Sequence, residues 1–379
     1  MIFNYHFFIK NFLKKNTYLT HFLYKNYNKK IEFQIQEMIN ELSLHDTIFD
    51  QTTLITLKRE IDTNSKSFYS SNINNTNARL YGIFNSLFKI QNDPLYLYPS
   101  VEHGLIFRNT NWTDTADTAR ASCITLSDFR QQILRNYYNT PIFCVGPYIH
   151  YADQYYTKEN FTKIKKNLGK TLLVFPTHGT DDFHVTYEQQ IFLDMIKNFK
   201  NEFDSILICA FWWNINDPLL NILKKMGCQI VSAGFREDPL FLSRLKTIIE
   251  LSDLAIGDSI GTHIGYCIHL NTPFFYFDSK SLKNHIKDDF ISYHMNILKK
   301  AFLNSTTINK DHLDLIDYYW GINHIKSKKD LEDIQILNKI ITRNCYGRTS
   351  LYSKYSQSLL KKPKTISENQ FKLLYNSLK

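Results

Sequence analysis

Residues Ser252 to Phe277 read SDLAIGDSIGTHIGYCIHLNTPFFYF, and this stretch decides the fold class. Leu254–Ile256 and Phe274–Phe277 are short apolar runs with the length and composition of buried parallel strands. Between them, a small polar turn precedes a helix-length segment that ends at Asn271–Pro273. The order strand, turn, helix, strand predicts a βαβ unit, and therefore a parallel sheet covered by helices.

The turn of this unit, Gly257 to His263, has a composition that suits phosphate binding. A helix that begins here presents backbone N–H groups without intrahelical partners. Gly261 lets a ligand approach the backbone, while Ser259 and Thr262 add hydroxyl donors. The sequence therefore predicts a phosphate or pyrophosphate ligand. The alternative is purely structural, because such turns need small N-cap residues whether or not they bind a ligand.

The same alternation of strands and helices fills the chain before the opening stretch. The predicted elements are strand Thr171–Phe175, helix Thr186–Phe199, strand Ser205–Phe211, helix Asp217–Lys225, strand Gln229–Ala233, and a helix from Asp238–Pro239 to about Leu251. Together with the opening stretch this gives five strands with intervening helices. That pattern predicts a doubly wound parallel sheet whose ligand lies beyond the carboxyl ends of the strands.

A second α/β unit is predicted upstream. An apolar run that begins at Ser100 is broken by Glu102–His103–Gly104, which puts the first two of these residues at a strand end or turn. Strands at Cys123–Leu126 and Pro141–Pro147 flank a helix at Phe129–Tyr138. The polar and aromatic segment at 148–166 is predicted as the linker, and the two domains as residues 1–155 and 156–379.

The two ends of the chain are predicted to be helical. Residues 1–42 repeat apolar side chains near a helical period, which favours packing on the protein's own core over docking to a membrane. The C-terminal tail carries many lysines, among them Lys354 and Lys379, which form either a solvated helix face or an attraction to anionic lipid. No run reaches the roughly 18 apolar residues of a transmembrane helix.

Net charge and cysteine pattern indicate which binding partners and which cellular compartment to expect. The formal charge of +9 favours nucleotides, nucleic acid or anionic membranes as partners. No RNA- or DNA-binding motif is present, so nucleic acid is not a predicted partner. The six cysteines are scattered without a CxxC pair, which predicts reduced thiols and a cytoplasmic protein.

Two turns of the second domain fall on the predicted ligand-binding edge of its sheet. We expect them to hold a diphosphate together, with histidines as donors to phosphate oxygens. The candidate residues are Thr177, His178, Gly179 and Thr180 in the first turn, and Ser259, Gly261, Thr262 and His263 in the second. No ligand set for a metal stands out, so no metal site is predicted.

Glu102–His103–Gly104 is the candidate catalytic turn of the first domain. A carboxylate beside an imidazole at a strand end can deprotonate an acceptor hydroxyl, because a general base must accept a proton near neutral pH. Glu102 is the predicted base, and His103 is a second base or a phosphate contact. A structural role for this three-residue turn is the alternative.

These motifs resemble those of the GT-B superfamily of nucleotide-sugar-dependent glycosyltransferases, in particular those of bacterial capsule and lipopolysaccharide assembly. The resemblance rests on EHG at 102–104, VGP at 145–147, FPTHG at 175–179 and the opening stretch, and it covers about Val101 to Asp278. It implies two Rossmann-like doubly wound domains that face a cleft, with helical N- and C-terminal extensions. The domain at 1–155 would hold the acceptor and the base, and the one at 156–379 the donor diphosphate.

The resemblance also implies the substrates. These are a nucleotide-sugar donor and a glycan or lipid-linked acceptor at the inner face of the cell membrane, with no further cofactor. Soon after the SIGTHIG turn, the chain lacks an acidic residue that would bind the ribose of the donor. The resemblance therefore does not identify the donor. Glycerophosphotransferases of the teichoic-acid or capsule type are a close alternative, and nucleotide-sugar 2-epimerases are a more distant one. A catalytically silent scaffold that binds a nucleotide is the alternative outside the enzymes.

Overall fold

The structure is a computed structural model, and it describes residues 40, 46, 48–56, 80–88, 98–110, 122–137, 140–177, 189–236, 238–279 and 288–346. The predicted N-terminal helix, apart from residue 40, and the basic tail lie outside the described residues. The same holds for three candidate donor contacts, His178, Gly179 and Thr180.

The described residues alternate between strands and helices. The strands are β1 (Ser100–Val101), β2 (Cys123–Thr125), β3 (Ile142–Cys144), β4 (Thr171–Phe175), β5 (Ser205–Cys209), β6 (Gln229–Val231), β7 (Leu254–Gly257) and β8 (Phe274–Tyr276). The helices are α1 (Ile83–Phe88), α2 (Asp128–Leu134), α3 (Lys158–Leu168), α4 (Gln189–Phe199), α5 (Pro218–Lys225), α6 (Phe241–Glu250), α7 (Thr262–His269), α8 (Asp289–Phe302), α9 (Lys310–Trp320) and α10 (Lys328–Tyr346). This confirms the α/β class, and the helical segment after residue 288 agrees with the predicted C-terminal extension.

Two parallel sheets organise these elements. The first has the order β1-β2-β3, and the second has the order β6-β5-β4-β7-β8. All pairs within both sheets are parallel. In the second sheet the chain moves outward from β4 in one direction and then, from β7, in the other. A doubly wound sheet binds its ligand where the strand order reverses, which is here the crevice between β4 and β7.

Burial on both faces explains why the strands read as continuous apolar runs. In β4, Leu172, Leu173 and Val174 are all fully buried. Leu173 belongs to one hydrophobic cluster, whereas Leu172 and Val174 belong to another, because successive side chains of a strand point to opposite faces. The first of these clusters also includes Val101 and Ile124 of the first sheet. A continuous core therefore joins the two sheets.

The C-terminal helices return to the first sheet. Ser127 Oγ donates to the carbonyl of Tyr319 at 3.0 Å, and Ser122 Oγ donates to Asn338 Oδ1 at 2.8 Å. Gly321 has a φ of 71°, and a Cβ there would overlap the carbonyl of Leu126. The end of α9 and the segment after it therefore cover the carboxyl ends of β2 and β3, and α10 contacts the chain at the amino end of β2. The domain boundary near residue 155 stays a prediction.

Two local expectations differ from the observed structure. The predicted linker contains α3, whose N-cap Thr157 accepts from the Asn160 N–H. The helix expected to begin at Asp238–Pro239 begins at Phe241 instead. Asp238 Oδ1 accepts from the Leu240 N–H while its Oδ2 pairs with Arg244, which holds a separate turn ahead of α6.

Two further predictions bear on the compartment. Five cysteines, Cys123, Cys144, Cys209, Cys228 and Cys267, are free thiols. Among the described residues, no helix combines the length and apolarity needed to cross a bilayer.

Candidate functional site

At the switch point of the second sheet, the carboxylate of Asp258 connects the turns that follow the strands. Asp258 directly follows β7, and Thr177 lies two residues beyond β4. The Thr177 N–H and Oγ1 both donate to Asp258 Oδ1, at 3.0 and 2.5 Å. Ser279, beyond β8, donates from Oγ to Asp258 Oδ2 at 2.7 Å. Asp258 therefore ties together the chain beyond three adjacent strands.

The environment of Asp258 favours a structural role over direct contact with a ligand. Its side chain is almost fully buried, and burial raises the pKa of this carboxyl, while the hydrogen bonds from Thr177 and Ser279 act in the opposite direction. Both oxygens already accept hydrogen bonds, which leaves this carboxylate poorly placed to bind a ligand directly. Its effect is to fix the backbone of the two turns that face the switch point.

The turn from Ser259 to His263 leads into α7 as the sequence predicts. Ser259 and His263 are half-buried, and Gly261 is the N-cap of the helix without a side-chain cap. The His263 ring packs against Phe175 and Phe274, with centroid distances of 4.8 and 5.3 Å. A Cβ on Gly261 would lie 3.0 Å from His263 Nδ1, so a side chain at 261 would press on this imidazole.

Thr262 joins the turns of the two sheets. Its Oγ1 accepts from the Leu105 N–H at 2.9 Å, and its carbonyl accepts from Trp320 Nε1 at 3.1 Å. Gly104 has a φ of 152°, and a Cβ at that position would overlap Thr262 Oγ1. The EHG turn and the N-terminus of α7 are therefore in direct contact, and the Thr262 hydroxyl still has its proton to donate.

Glu102 is enclosed at the end of β1. Its side chain is fully buried, Arg130 Nε donates to Oε1 at 2.8 Å, and Thr125 Oγ1 donates to Oε2 at 2.7 Å. Burial raises the pKa of Glu102, and Arg130 and Thr125 oppose that rise. A carboxylate without exposed surface cannot touch an acceptor hydroxyl. The structure therefore favours a positioning role for Glu102 over the predicted role of base.

His103 is the more exposed member of the predicted pair. It is half-buried and lies beside Tyr81, with ring centroids 6.2 Å apart. It follows a buried, ion-paired residue, and Leu105 is fixed by Thr262 on the other side. The backbone on both sides of His103 is therefore held in place.

Sequence reasoning missed the residues that support the two turns. Arg130 lies on α2, where its Nη1 and Nη2 also donate to the carbonyls of Arg108 and Thr110. Asp258 and Ser279 were likewise not among the candidates. A carboxylate directly after an apolar strand was a usable signal for Asp258. Nothing local indicates Arg130, because its partner lies 28 residues away in sequence.

No family model matches the sequence, and no curated protein matches it either. Among solved structures, the wall teichoic acid polymerase TagF is similar, with 16% identity over 68% of this chain and 72% of that one, at a TM-score of 0.38.

Two plant structures are also similar. UGT89C1 from Arabidopsis thaliana has 11% identity over 74% of this chain and 64% of its own, at a TM-score of 0.30. UGT2 from Phytolacca americana, complexed with UDP-2fluoro-glucose and pterostilbene, has 8% identity. The similarity covers 66% of this chain and 56% of UGT2, at a TM-score of 0.27. Similarities at this level do not assign a family.

Proposed function

We propose that the chain is a transferase that moves a sugar from a nucleotide-sugar donor to a hydroxyl of a surface-polysaccharide acceptor. The observation that carries this proposal is the direct contact between the carboxyl edges of the two parallel sheets, through the Leu105–Thr262 hydrogen bond. It brings the half-buried His103 to the same region as the turn that opens α7. A base and an anion-binding turn in one place are what such a transfer needs.

The donor diphosphate would lie at the switch point. The first N–H groups of α7 and the positive end of its dipole suit an anion there, as in other helix N-terminal phosphate sites. Ser259 and the remaining Thr262 proton supply hydroxyl donors around it, whereas the Thr177 hydroxyl already donates to Asp258. Asp258 would hold this cradle from behind, where its oxygens are already engaged.

The acceptor would react beside the EHG turn. Its hydroxyl oxygen forms a bond to the anomeric carbon of the sugar, the bond from that carbon to the diphosphate oxygen breaks, and the nucleoside diphosphate leaves. The acceptor proton passes to the imidazole of His103, which acts as general base. Glu102 does not take the proton in this scheme, and its ion pair with Arg130 holds the backbone that carries His103.

A thermal-shift screen tests the donor. The whole chain is heated with UDP, GDP, CMP and CDP, and with their sugar and glycerol conjugates. A ligand at a hundred times its dissociation constant stabilises by about 2.7 kcal/mol, which is easily detected. A response to a nucleotide sugar supports the proposal, and a response confined to CDP-glycerol would redirect it to glycerophosphate transfer. A chain that responds to none of these ligands would not be a transferase of this kind.

A substitution then tests whether the nucleotide binds at the turn before α7. Gly261→Val puts a branched side chain at the entrance of α7 and against His263, so we expect it to weaken nucleotide binding. Ile222→Val is the control, because this exposed side chain lies on α5, which packs against β6 at the edge of the sheet away from α7. Equal nucleotide affinity in wild type and Gly261→Val would move the donor away from this turn.

We also propose that the enzyme meets a lipid-linked acceptor at an anionic membrane surface. The support is the formal charge of +9 and the aromatic and lysine-rich ends of the chain. Co-sedimentation with liposomes is the test. Binding should be stronger to anionic than to neutral vesicles, and equal binding to both, or none to either, contradicts the idea.

A further inference from the structure

A second group of reactive side chains lies apart from the proposed transfer site, at the carboxyl ends of β2 and β3. Cys144 is the last residue of β3, and Asp128 is the first residue of α2. His324 ends a short 3-10 helix, Ile322–His324, in the segment that returns after α9. One ligand atom from each of these three residues lies within 4.8 Å of the other two.

The carboxylate stands between the other two groups. Asp128 Oδ1 is 3.7 Å from Cys144 Sγ, and Asp128 Oδ2 is 3.1 Å from His324 Nε2. Zinc–ligand bonds of about 2.0–2.3 Å at tetrahedral angles put neighbouring ligand atoms about 3.3–3.6 Å apart. Small side-chain rotations thus bring these atoms onto three corners of such a tetrahedron.

We propose that Asp128, Cys144 and His324 bind a zinc-class divalent cation, with water as the fourth ligand. The mixture of thiolate, imidazole and carboxylate suits Zn²⁺, whereas Mg²⁺ and Ca²⁺ prefer oxygen ligands alone. This site is independent of the proposed transferase function, and it adds a metal that the sequence did not predict. Positions 128, 144 and 324 have no zinc-motif spacing, which is why the sequence does not reveal them.

The exposure of the three residues suits an open site. Cys144 is buried, while the side chains of His324 and Asp128 are 30% and 59% exposed. Solvent therefore reaches one side of the cluster, which gives the metal a route in and a place for the water ligand.

Metal binding here exchanges a proton for the cation. Without metal, the Cys144 thiol donates a proton toward Asp128, and burial followed by the Asp128 charge raises the pKa of this thiol. Zinc binding releases that proton to solvent and leaves a thiolate, and His324 keeps its remaining ring proton on Nδ1. Lys326 and Arg135 favour the thiolate but repel a cation.

The site would act as a clip between the first sheet and the returning segment. A Cβ on Gly146 would overlap or crowd Ile325 and Gly321, so the two chain segments are already in close contact beside the cluster. Asp128 and Cys144 belong to the first sheet unit, and only His324 belongs to the returning segment. One bound ion would therefore join parts of the chain that are 180 residues apart.

The test measures metal binding on the full chain. Chelator-treated protein is titrated with Zn²⁺ against a chromogenic chelator, and with Co²⁺ to look for a thiolate-to-cobalt charge-transfer band. Cys144→Ser removes the sulfur ligand, and the more exposed His324→Gln removes the imidazole with less risk to folding. Cys228→Ser is the matched control, because it removes another buried thiol outside the cluster.

We expect one equivalent of Zn²⁺ and a cobalt–thiolate band in wild type and Cys228→Ser. Cys144→Ser should lose the band, and His324→Gln should bind zinc at least about 10- to 100-fold more weakly, the loss typical even of an outer-shell partner. His269→Gln tests the other imidazole pair and should change neither readout. The proposal is overturned if wild type binds no zinc, or if His324→Gln and Cys144→Ser bind it as wild type does.

Discussion

Both sheets place a buried carboxylate directly after a strand, but they surround it differently. Glu102 follows β1 and pairs with the guanidinium of Arg130, whereas Asp258 follows β7 and accepts hydrogen bonds from Thr177 and Ser279. Burial raises the pKa of both carboxyls. One site offsets the desolvated charge with another charge, and the other offsets it with neutral donors. The two edges should therefore respond differently to loss of a partner.

The largest expected effect is on transfer activity, and it should distinguish the role of His103 from that of Glu102. His103→Ala removes the proposed base, so transfer should fall by about 10²–10⁴-fold while nucleotide affinity stays unchanged. Single-turnover assays and nucleotide titrations measure the two quantities. Glu102→Gln is the comparison, since it keeps the shape but weakens the ion pair, and it should lower stability as well. Full transfer activity in His103→Ala would show that the EHG turn has only a structural role.

The next effect tests the ion pair of the first sheet. Arg130→Met leaves Glu102 buried without its cation, and breaking a buried pair in this way typically costs about 3–5 kcal/mol of unfolding free energy. Urea denaturation of the variant measures the loss. The double variant Arg130→Met/Glu102→Gln removes the charge as well and should recover most of it. A loss below about 1 kcal/mol, the range of surface pairs, would contradict the burial argument.

A smaller effect is expected at the second sheet. Thr177→Val removes the hydroxyl that donates to Asp258 but keeps the backbone N–H donor. Loss of one partner of a buried acceptor costs about 1–3 kcal/mol, so this variant should be less destabilised than Arg130→Met. Ser279→Ala is the parallel variant on the other oxygen. If either loss exceeded that of Arg130→Met, the ranking of charged above neutral support would be reversed.

The smallest effect concerns pH and the contact between the 3-10 helix Tyr148–Tyr151 and the C-terminal end of α7. His150 Nδ1 lies 3.2 Å from His269 Nε2, and burial, then His150 and Lys246, lower the pKa of His269 to about 4. The unfolded chain, with an ordinary pKa of about 6.5, therefore binds more protons than the folded chain between these values. Stability should fall as pH drops from about 6.5 toward about 4.

Thermal unfolding of wild type and His269→Gln at a series of pH values in this window measures that dependence. The variant lacks the titrating group, so its melting temperature should fall less over the same range. Identical slopes would assign the pH dependence to other groups. The comparison with the carboxylates is direct, because here burial disfavours a positive charge rather than a negative one.

The sequence predicts most of the second sheet because its signals are local. The apolar runs at Thr171–Phe175 and Leu254–Gly257 are strands, and the turn after each is where the pattern puts it. α3 was missed because its segment is mainly polar and only its last residue, Leu168, is fully enclosed. The start of α6 moved because the Asp238 side chain pairs with Arg244 and holds a separate turn ahead of the helix.

The candidate site was predictable in position but not in the task of each residue. Strand ends located Glu102, His103 and Ser259, because parallel strands bring their carboxyl ends to one edge. Burial of Glu102 and the contact of Thr262 with Leu105 depend on chain segments far apart in sequence. Composition and spacing do not encode such contacts. His178, Gly179 and Thr180 stay predictions.

The return of the last helices also orders events during synthesis. A ribosome releases the N-terminal part first, and domains generally fold as they emerge. Here Tyr319 and Gly321, which contact the carboxyl ends of β2 and β3, are synthesised late. All five strands of the second sheet have been synthesised once Tyr276 is added. A nascent chain that stops before Lys310 thus contains every strand of the second sheet but lacks the contacts of Tyr319 and Gly321 with the first. We therefore expect the half that is translated first to complete its contacts no earlier than the half that is translated second.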